Sequence, residues 1–254
     1  MTRTPRILLT NDDSIHAHGF SVLGAIAAEI SDDIWVCAPE AEQSAASHSL
    51  TIHRPLRLRQ LDDRRYTVDG TPTDCVLLAV NHIMRDAPPD LVLSGVNHGR
   101  NVAEDVTYSG TIAAAMEATL LGIRAVAFSQ ELPQDGDADW TLPRKWGPRV
   151  LSRLLEQTWS DDVLMNVNFP AVGRDQVTHV ATVPHAIRKL GDVLDQRSDP
   201  RGRAYFWIGV NRMTENLPEN TDIKALSQGA ITVTPLHMDL THHQTLESLR
   251  RSFS

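Results

Sequence analysis

The 254-residue chain sets 24 Lys and Arg against 32 Asp and Glu, a net charge of -8, and has no basic run able to neutralise a nucleic-acid backbone, which excludes a DNA or RNA duplex as its main partner. The opening "MTRTPRILLTNDD" has no apolar stretch of signal-peptide length, and no segment approaches the roughly 20 apolar residues of a membrane span. Cys37 and Cys75 sit inside apolar runs, so a cytoplasmic protein with reduced, buried thiols and no membrane partner is expected.

In chain order, "RILLT" at 6–10 predicts a strand, and "FSVLGAIAAEI" a helix, with Phe20, Leu23, Ala27 and Ile30 at helical spacing. A second strand, "DIWVCAP" at 33–39, is followed by residues 50–69. These alternate apolar and charged residues around a polar turn and predict a β-hairpin standing off the main sheet. "TPTDCVLLAVNHIM" predicts a helix opened by Pro72, with Val76, Leu77, Val80 and Ile83 on its apolar side. "DLVLSGV" at 90–96 is the third strand, "TIAAAMEATLLG" at 111–122 a helix stopped by Gly122, and "RAVAFSQ" (124–130) and "VLMNVNFP" (163–170) are further strands. The alternation of strands and helices predicts an α/β fold with a mostly parallel sheet covered by helices.

After Pro170 the helical patterns thin out, and "DPRGRAYFWIGVN" and "AITVTPLHMDL" predict strands of a β-rich C-terminal extension. Exposed ribbons of this kind pair with other subunits, and His237 and Asp239 are candidate interface groups. With no internal repeat or low-complexity linker, the chain reads as a single domain over 1–254, a core of about 1–170 and an extension of about 171–254.

Ligands of open parallel sheets bind outside the carboxyl ends of the strands. There this sequence places Asn11, Asp12 and Asp13, then Ser44 in "PEAEQSAAS", then Asn97 and Asn101 in "VNHGRN". Adjacent residues of a strand face opposite ways, so Asp12 and Asp13 serve one site only if the chain turns at Asp12. As a hard, all-oxygen set these groups suit Mg²⁺ or Mn²⁺ better than Zn²⁺. The alternative is that Asp13 or Ser14 caps the next helix and Asp12 is merely solvated. Tyr108, Ser109, Gly110 and Thr111 open a strongly helical segment, which is either an anion site at the positive end of the helix dipole or an ordinary N-cap. Tyr108 either stacks on a ligand's ring or packs beneath the loop.

Other chemistries lack their motifs: there is no GxSxG elbow for a serine hydrolase built on Ser44 or Ser94, no HExxH and no GxxxxGK[ST], and no residue separates Asp12 from Asp13 as the DxD pair of a phosphatase would need there. The 11 histidines are scattered without paired ligand spacing on any one helix; His98, which follows Asn97, is either a site residue or a solvent-facing loop residue.

"ILLTNDDSIHAHG", "CAPEAEQSAASHSLT", "VDGTPTDCV", "PDLVLSGVNHGRN", "YSGTIAAAMEA" and "ITVTPLHMDLT" resemble, in order and over nearly the whole chain, the signature blocks of the survival protein E (SurE) family of metal-dependent nucleotide phosphatases. The resemblance implies a Rossmann-like α/β core with helices on both faces and an extension used in homodimer or homotetramer assembly. It implies hydrolysis of nucleoside 5′-monophosphates, with 3′-monophosphates and short polyphosphate as further substrates. It also implies one divalent cation per subunit, Mg²⁺ or Mn²⁺, on Asp12, Asp13, Ser44 and Asn97, with Asp12 and Asp13 catalytic. The substrate-binding positions become Asn11, Gly99, Asn101, Ser109, Gly110 and Thr111. Two residues depart from the usual pattern: Ser14 replaces a Gly and His18 a Pro. A positive φ at Ser14 would be strained. A non-catalytic nucleotide or phosphate binder on the same fold is the alternative, and metal-dependent turnover separates the two.

Overall fold

The strand runs are apolar almost without interruption because both faces of the sheet are covered. The computed structural model describes residues 4–173, 175–186, 192–210 and 217–253. Its first half contains β1 (Ile7–Thr10), α1 (His18–Ala28), β2 (Ile34–Pro39), β3 (Leu58–Asp62), β4 (Arg65–Val68), α2 (Pro72–Leu78) continued by a π-helical turn (Ala79–Ile83), and β5 (Leu91–His98). There follow α3 (Asp105–Tyr108), α4 (Gly110–Leu120), β6 (Arg124–Gln130), α5 (Thr141–Leu155), β7 (Val163–Phe169), β8 (Val180–Thr182), β9 (Asp192–Ser198), β10 (Ala204–Val210), α6 (Asp222–Ser227), β11 (Ile231–His237) and α7 (His243–Phe253).

Nine strands form one sheet in the order β3-β4-β2-β1-β5-β6-β7-β11-β8. All neighbours run parallel except β3 with β4 and β11 with β7. Side chains alternate between two cores, as the period of a strand requires. Ile7, Leu9, Leu91, Leu93 and Phe128 pack with Leu23 and Ile26 of α1 and Leu151 of α5, while Leu8, Val92 and Ala127 pack with Val76 of α2 and Ile112 of α4. Full burial of one such leucine contributes about 1.5–3 kcal/mol. The order reverses at β1, whose neighbours are β2 on one side and β5 on the other. A topological switch point therefore lies at the carboxyl ends of β1 and β5.

Several expectations are corrected. The hairpin of residues 50–69 forms over 58–68 but does not stand off: β4 pairs in parallel with β2 and carries β3 as the sheet edge. Its alternating pattern arises because Leu58, Tyr66 and Val68 cover the α2 side. The protruding hairpin is instead β9–β10, which among the described residues pairs with no other strand. Asn211, at the end of that expected strand, lies outside the described residues. β11 and β8 extend the main sheet past residue 170, because β11 pairs with β7 from Val163 to Asn168. The sequence reading missed α5, whose interior Pro148 and charged residues obscure the period.

Helix ends follow local chemistry. Thr71 and Asp74 form a reciprocal capping box around Pro72, and Gly122, just past α4, has φ +74°. Cys37 and Cys75 are buried free thiols. No helix among the described residues is long and apolar enough to cross a membrane.

Candidate active site

The chain leaves β1 at Thr10 and bends at Asp12 and Asp13, so the two carboxylates reach different neighbours. Asp12 is buried, and its Oδ1 accepts the Thr111 hydroxyl of α4 at 2.5 Å. Asp13 Oδ2 accepts the backbone N–H of His98, at the end of β5, at 3.0 Å. The doubled aspartate thus ties β1 to the start of α4 and to β5, at the switch point.

The bend is completed by Ser14, whose φ is +86°. Asn11 braces it, donating its Nδ2 to the Ser14 carbonyl at 2.7 Å. The other side-chain atom of Asn11, Oδ1, is buried without a hydrogen-bond partner.

Burial is the main reason that both carboxyls hold their protons more tightly than usual. It pushes Asp12 up to about 6 against the Thr111 hydrogen bond, and Asp13 adds like-charge repulsion. Asp13 is raised too, chiefly by burial, with the His98 amide opposing and the Glu42 carboxylate adding to the rise.

Gly110 makes the approach of α4 possible. A Cβ there would lie 2.8 Å from Asp12 Cβ and 3.0 Å from its Oδ2. Ser109 acts as the N-cap, its hydroxyl accepting the Ile112 N–H at 3.1 Å. The N-cap reading of this stretch holds: Ser109 caps the helix, and the capped end abuts the Asp12 carboxylate.

Asn97 and His98 reach the rim because β5 is irregular between Ser94 and Asn97, where its register against β6 shifts. Gly95 at the shift has φ +120°, and a Cβ there would meet the Phe128 carbonyl at 2.2 Å. Asn97 Nδ2 donates to the Gly99 carbonyl at 2.9 Å, and Gly99 itself has φ +135°.

Asn101 is deeply engaged. Its N–H donates to Asn168 Oδ1 and its Nδ2 to Ser129 Oγ, while its carbonyl accepts from Asn166 and Asn168. Through these bonds Asn101 holds the 97–101 loop to β6 and β7. The sequence reading missed Asn166 and Asn168. The signal was present, since polar residues two apart in the buried strand "VLMNVNF" share one face.

Ser44 is less integrated. Its loop is docked by the Gln43 N–H donating to the Asp12 carbonyl at 2.8 Å, but its hydroxyl is exposed and donates to Glu42 at 2.7 Å. Ser94 is wholly buried. Neither serine hydroxyl is hydrogen-bonded to a histidine, as a serine nucleophile would require. Tyr108 is exposed rather than packed beneath the loop, and its carbonyl accepts the Ser47 N–H at 3.1 Å. No group of three or more His, Cys, Asp or Glu among the described residues is placed to hold a metal ion. Any cation here would rest on two carboxylates and neutral oxygens.

The family description "Survival protein SurE" matches residues 7–192. The chain is 54% identical over 248 residues to the 5′-nucleotidase SurE of Paramagnetospirillum magneticum, covering 98% of this chain and 95% of that one. It is 51% identical to the 5′-nucleotidase SurE of Rhodospirillum rubrum, with 98% and 96% covered. The crystal structure of the SurE protein from Aquifex aeolicus superposes with a TM-score of 0.86 at 34% identity, covering 98% of this chain and all of that one. With the strand-end blocks, the switch-point geometry and these matches in agreement over nearly its whole length, the chain belongs to the survival protein SurE family.

Proposed function

We propose that this chain is a cytoplasmic 5′-nucleotidase, a divalent-metal-dependent phosphomonoesterase that releases phosphate from nucleoside 5′-monophosphates, with 3′-monophosphates and short polyphosphate as further substrates. The observation that carries the reading is the pair of adjacent carboxylates, buried Asp12 and partly buried Asp13, held by Thr111 and by the His98 amide at the switch point. Relatives about 50% identical over nearly the full chain bear the name 5′-nucleotidase SurE.

Two raised carboxyls and the unpartnered Asn11 Oδ1 fit a hard cation, which compensates both charges and takes oxygen donors. Asp12 and Asp13, completed by Asn97 and Ser44, would hold one Mg²⁺ or Mn²⁺ per subunit, supplying Lewis acidity to the phosphoryl oxygens. Asn11, Gly99, Asn101, Ser109, Gly110 and Thr111 are the proposed substrate-side positions. Among them, Thr111 orients Asp12, and the amino end of α4 offers positive dipole to phosphate charge. Asn101 shapes the loop through its backbone and amide. The exposed β9–β10 hairpin and α7 would join copies of the chain into a homodimer or homotetramer.

Phosphate release from nucleotides, measured with Mg²⁺, with Mn²⁺ and with a chelator, tests the reading. Turnover should vanish with the chelator and return with metal. Asp12→Asn should lower kcat at least 100-fold even at saturating metal, and full activity of that variant would overturn the ligand assignment. Nucleotide binding without turnover would favour a non-catalytic binder.

A further inference from the structure

Beside Asp13 opens a cavity of about 510 Å³ lined by Asp13, His18, His98, Asp137 and Trp140, with Ala17, Gly19 and Ala138 between them. Its size is that of a small-molecule site. The Trp140 ring stacks with both imidazoles, its centroid 5.5 Å from that of His18 and 6.0 Å from that of His98, at interplanar angles of 28° and 25°. Both histidines are exposed, whereas Trp140 is seated on the core at the start of α5. The ring is held in place: a Cβ on Gly19 would lie 2.7 Å from Trp140 Cη2 and 2.0 Å from the Val96 carbonyl. Asp139 accepts from the Thr141 N–H and hydroxyl, fixing the turn into α5.

The chemistry of this lining is selective. It offers aromatic surface and two carboxylates but no Lys or Arg, so it does not suit a second phosphate or another anion. It suits a flat, uncharged, π-bearing group with N–H donors.

We propose that this cavity is the nucleobase subsite, in which the base of a bound nucleoside monophosphate lies against the His18–Trp140–His98 shelf while its phosphate lies at the amino end of α4, beside the cation that Asp12 and Asp13 would hold. The inference rests on the phosphomonoesterase reading above. It gives His18, which stands where the family pattern has Pro, a role in selecting substrate. Stacking of a base on an aromatic side chain is worth about 1–3 kcal/mol, roughly five- to 150-fold in binding.

The test compares kcat/KM for a nucleoside 5′-monophosphate with that for ribose 5-phosphate, which keeps the sugar and phosphate and lacks the base. The nucleotide should be preferred by the unmodified enzyme. Trp140→Ala should reduce that preference at least fivefold through KM, His18→Ala should reduce it less, and Trp140→Phe should restore most of it. A variant that loses both substrates in proportion, or neither, overturns the subsite. An unmodified enzyme that hydrolyses neither substrate with any divalent metal overturns the phosphatase reading itself.

Discussion

Ser14 adopts a φ of +86° in the loop that carries the two carboxylates, at a position where the family pattern has Gly. The loop therefore keeps a glycine-like shape in spite of the substitution. A side chain in left-handed backbone costs about 1–2 kcal/mol. The Asn11 bond runs to the Ser14 carbonyl, so it survives any change of side chain. Ser14→Gly should stabilise the protein by about 1 kcal/mol, raising Tm by roughly 2–4 °C in a thermal melt, with phosphatase activity retained. A second residue gives a pH effect. Burial pushes Asp105 up to about 6 from 3.8, opposed by Arg100 and reinforced by Glu104 and Asp222. The native state thus binds this proton more tightly than the unfolded chain. The stabilisation is complete below about pH 4 and is lost as pH rises through about 6, each pKa unit being worth about 1.4 kcal/mol. In urea titrations across that range, Asp105→Asn should flatten the decline, gaining stability over the parent as pH increases.

Among the elements, α4 is the one whose seating most affects chemistry. Its amino end abuts Asp12 because position 110 has no side chain, with Pro72 Cγ a further 3.2 Å neighbour of a Cβ placed there. Gly110→Ala should push the helix start away from Asp12, costing about 1–3 kcal/mol in chemical denaturation and at least tenfold in kcat. A drop in stability without a drop in kcat would mean that this contact is structural only. The neighbouring elements show why a strand-end rule located the site while leaving its geometry open. "TNDD" and "VNHGRN" stand at carboxyl ends of strands in the sequence itself. That Asp12 turns to α4 and Asp13 to β5 depends on the bend after Thr10 and on the register shift in β5, neither of which has a local signature strong enough to read. Asn101 is tied to Ser129, Asn166 and Asn168, residues distant in sequence, so its place in the site is likewise set by tertiary structure.

For the whole molecule, the β9–β10 hairpin presents Leu194, Phe206, Trp207 and Ile208 at 58–75% exposure, and α7 buries none of its residues. Exposed apolar surface of this extent is what the proposed contact between copies would cover. Replacing Phe206 and Ile208 together by Ser should reduce the molar mass measured by light scattering to that of a smaller assembly, while far-UV circular dichroism stays the same. An unchanged mass would remove the hairpin from the interface. By itself the sequence determined the α/β class, the parallel core strands, the α2 and α4 helices and the strand ends carrying Asp12, Asp13 and Asn97, since hydrophobic period, capping and turn chemistry are local. Only the tertiary structure decided that the 58–68 hairpin closes one sheet edge, that β11 and β8 extend the other, and that Trp140 of the missed α5 stands beside Asp13. Those placements depend on which distant strand offers a free edge and which helix has room to approach, and neither is written in any short stretch of residues.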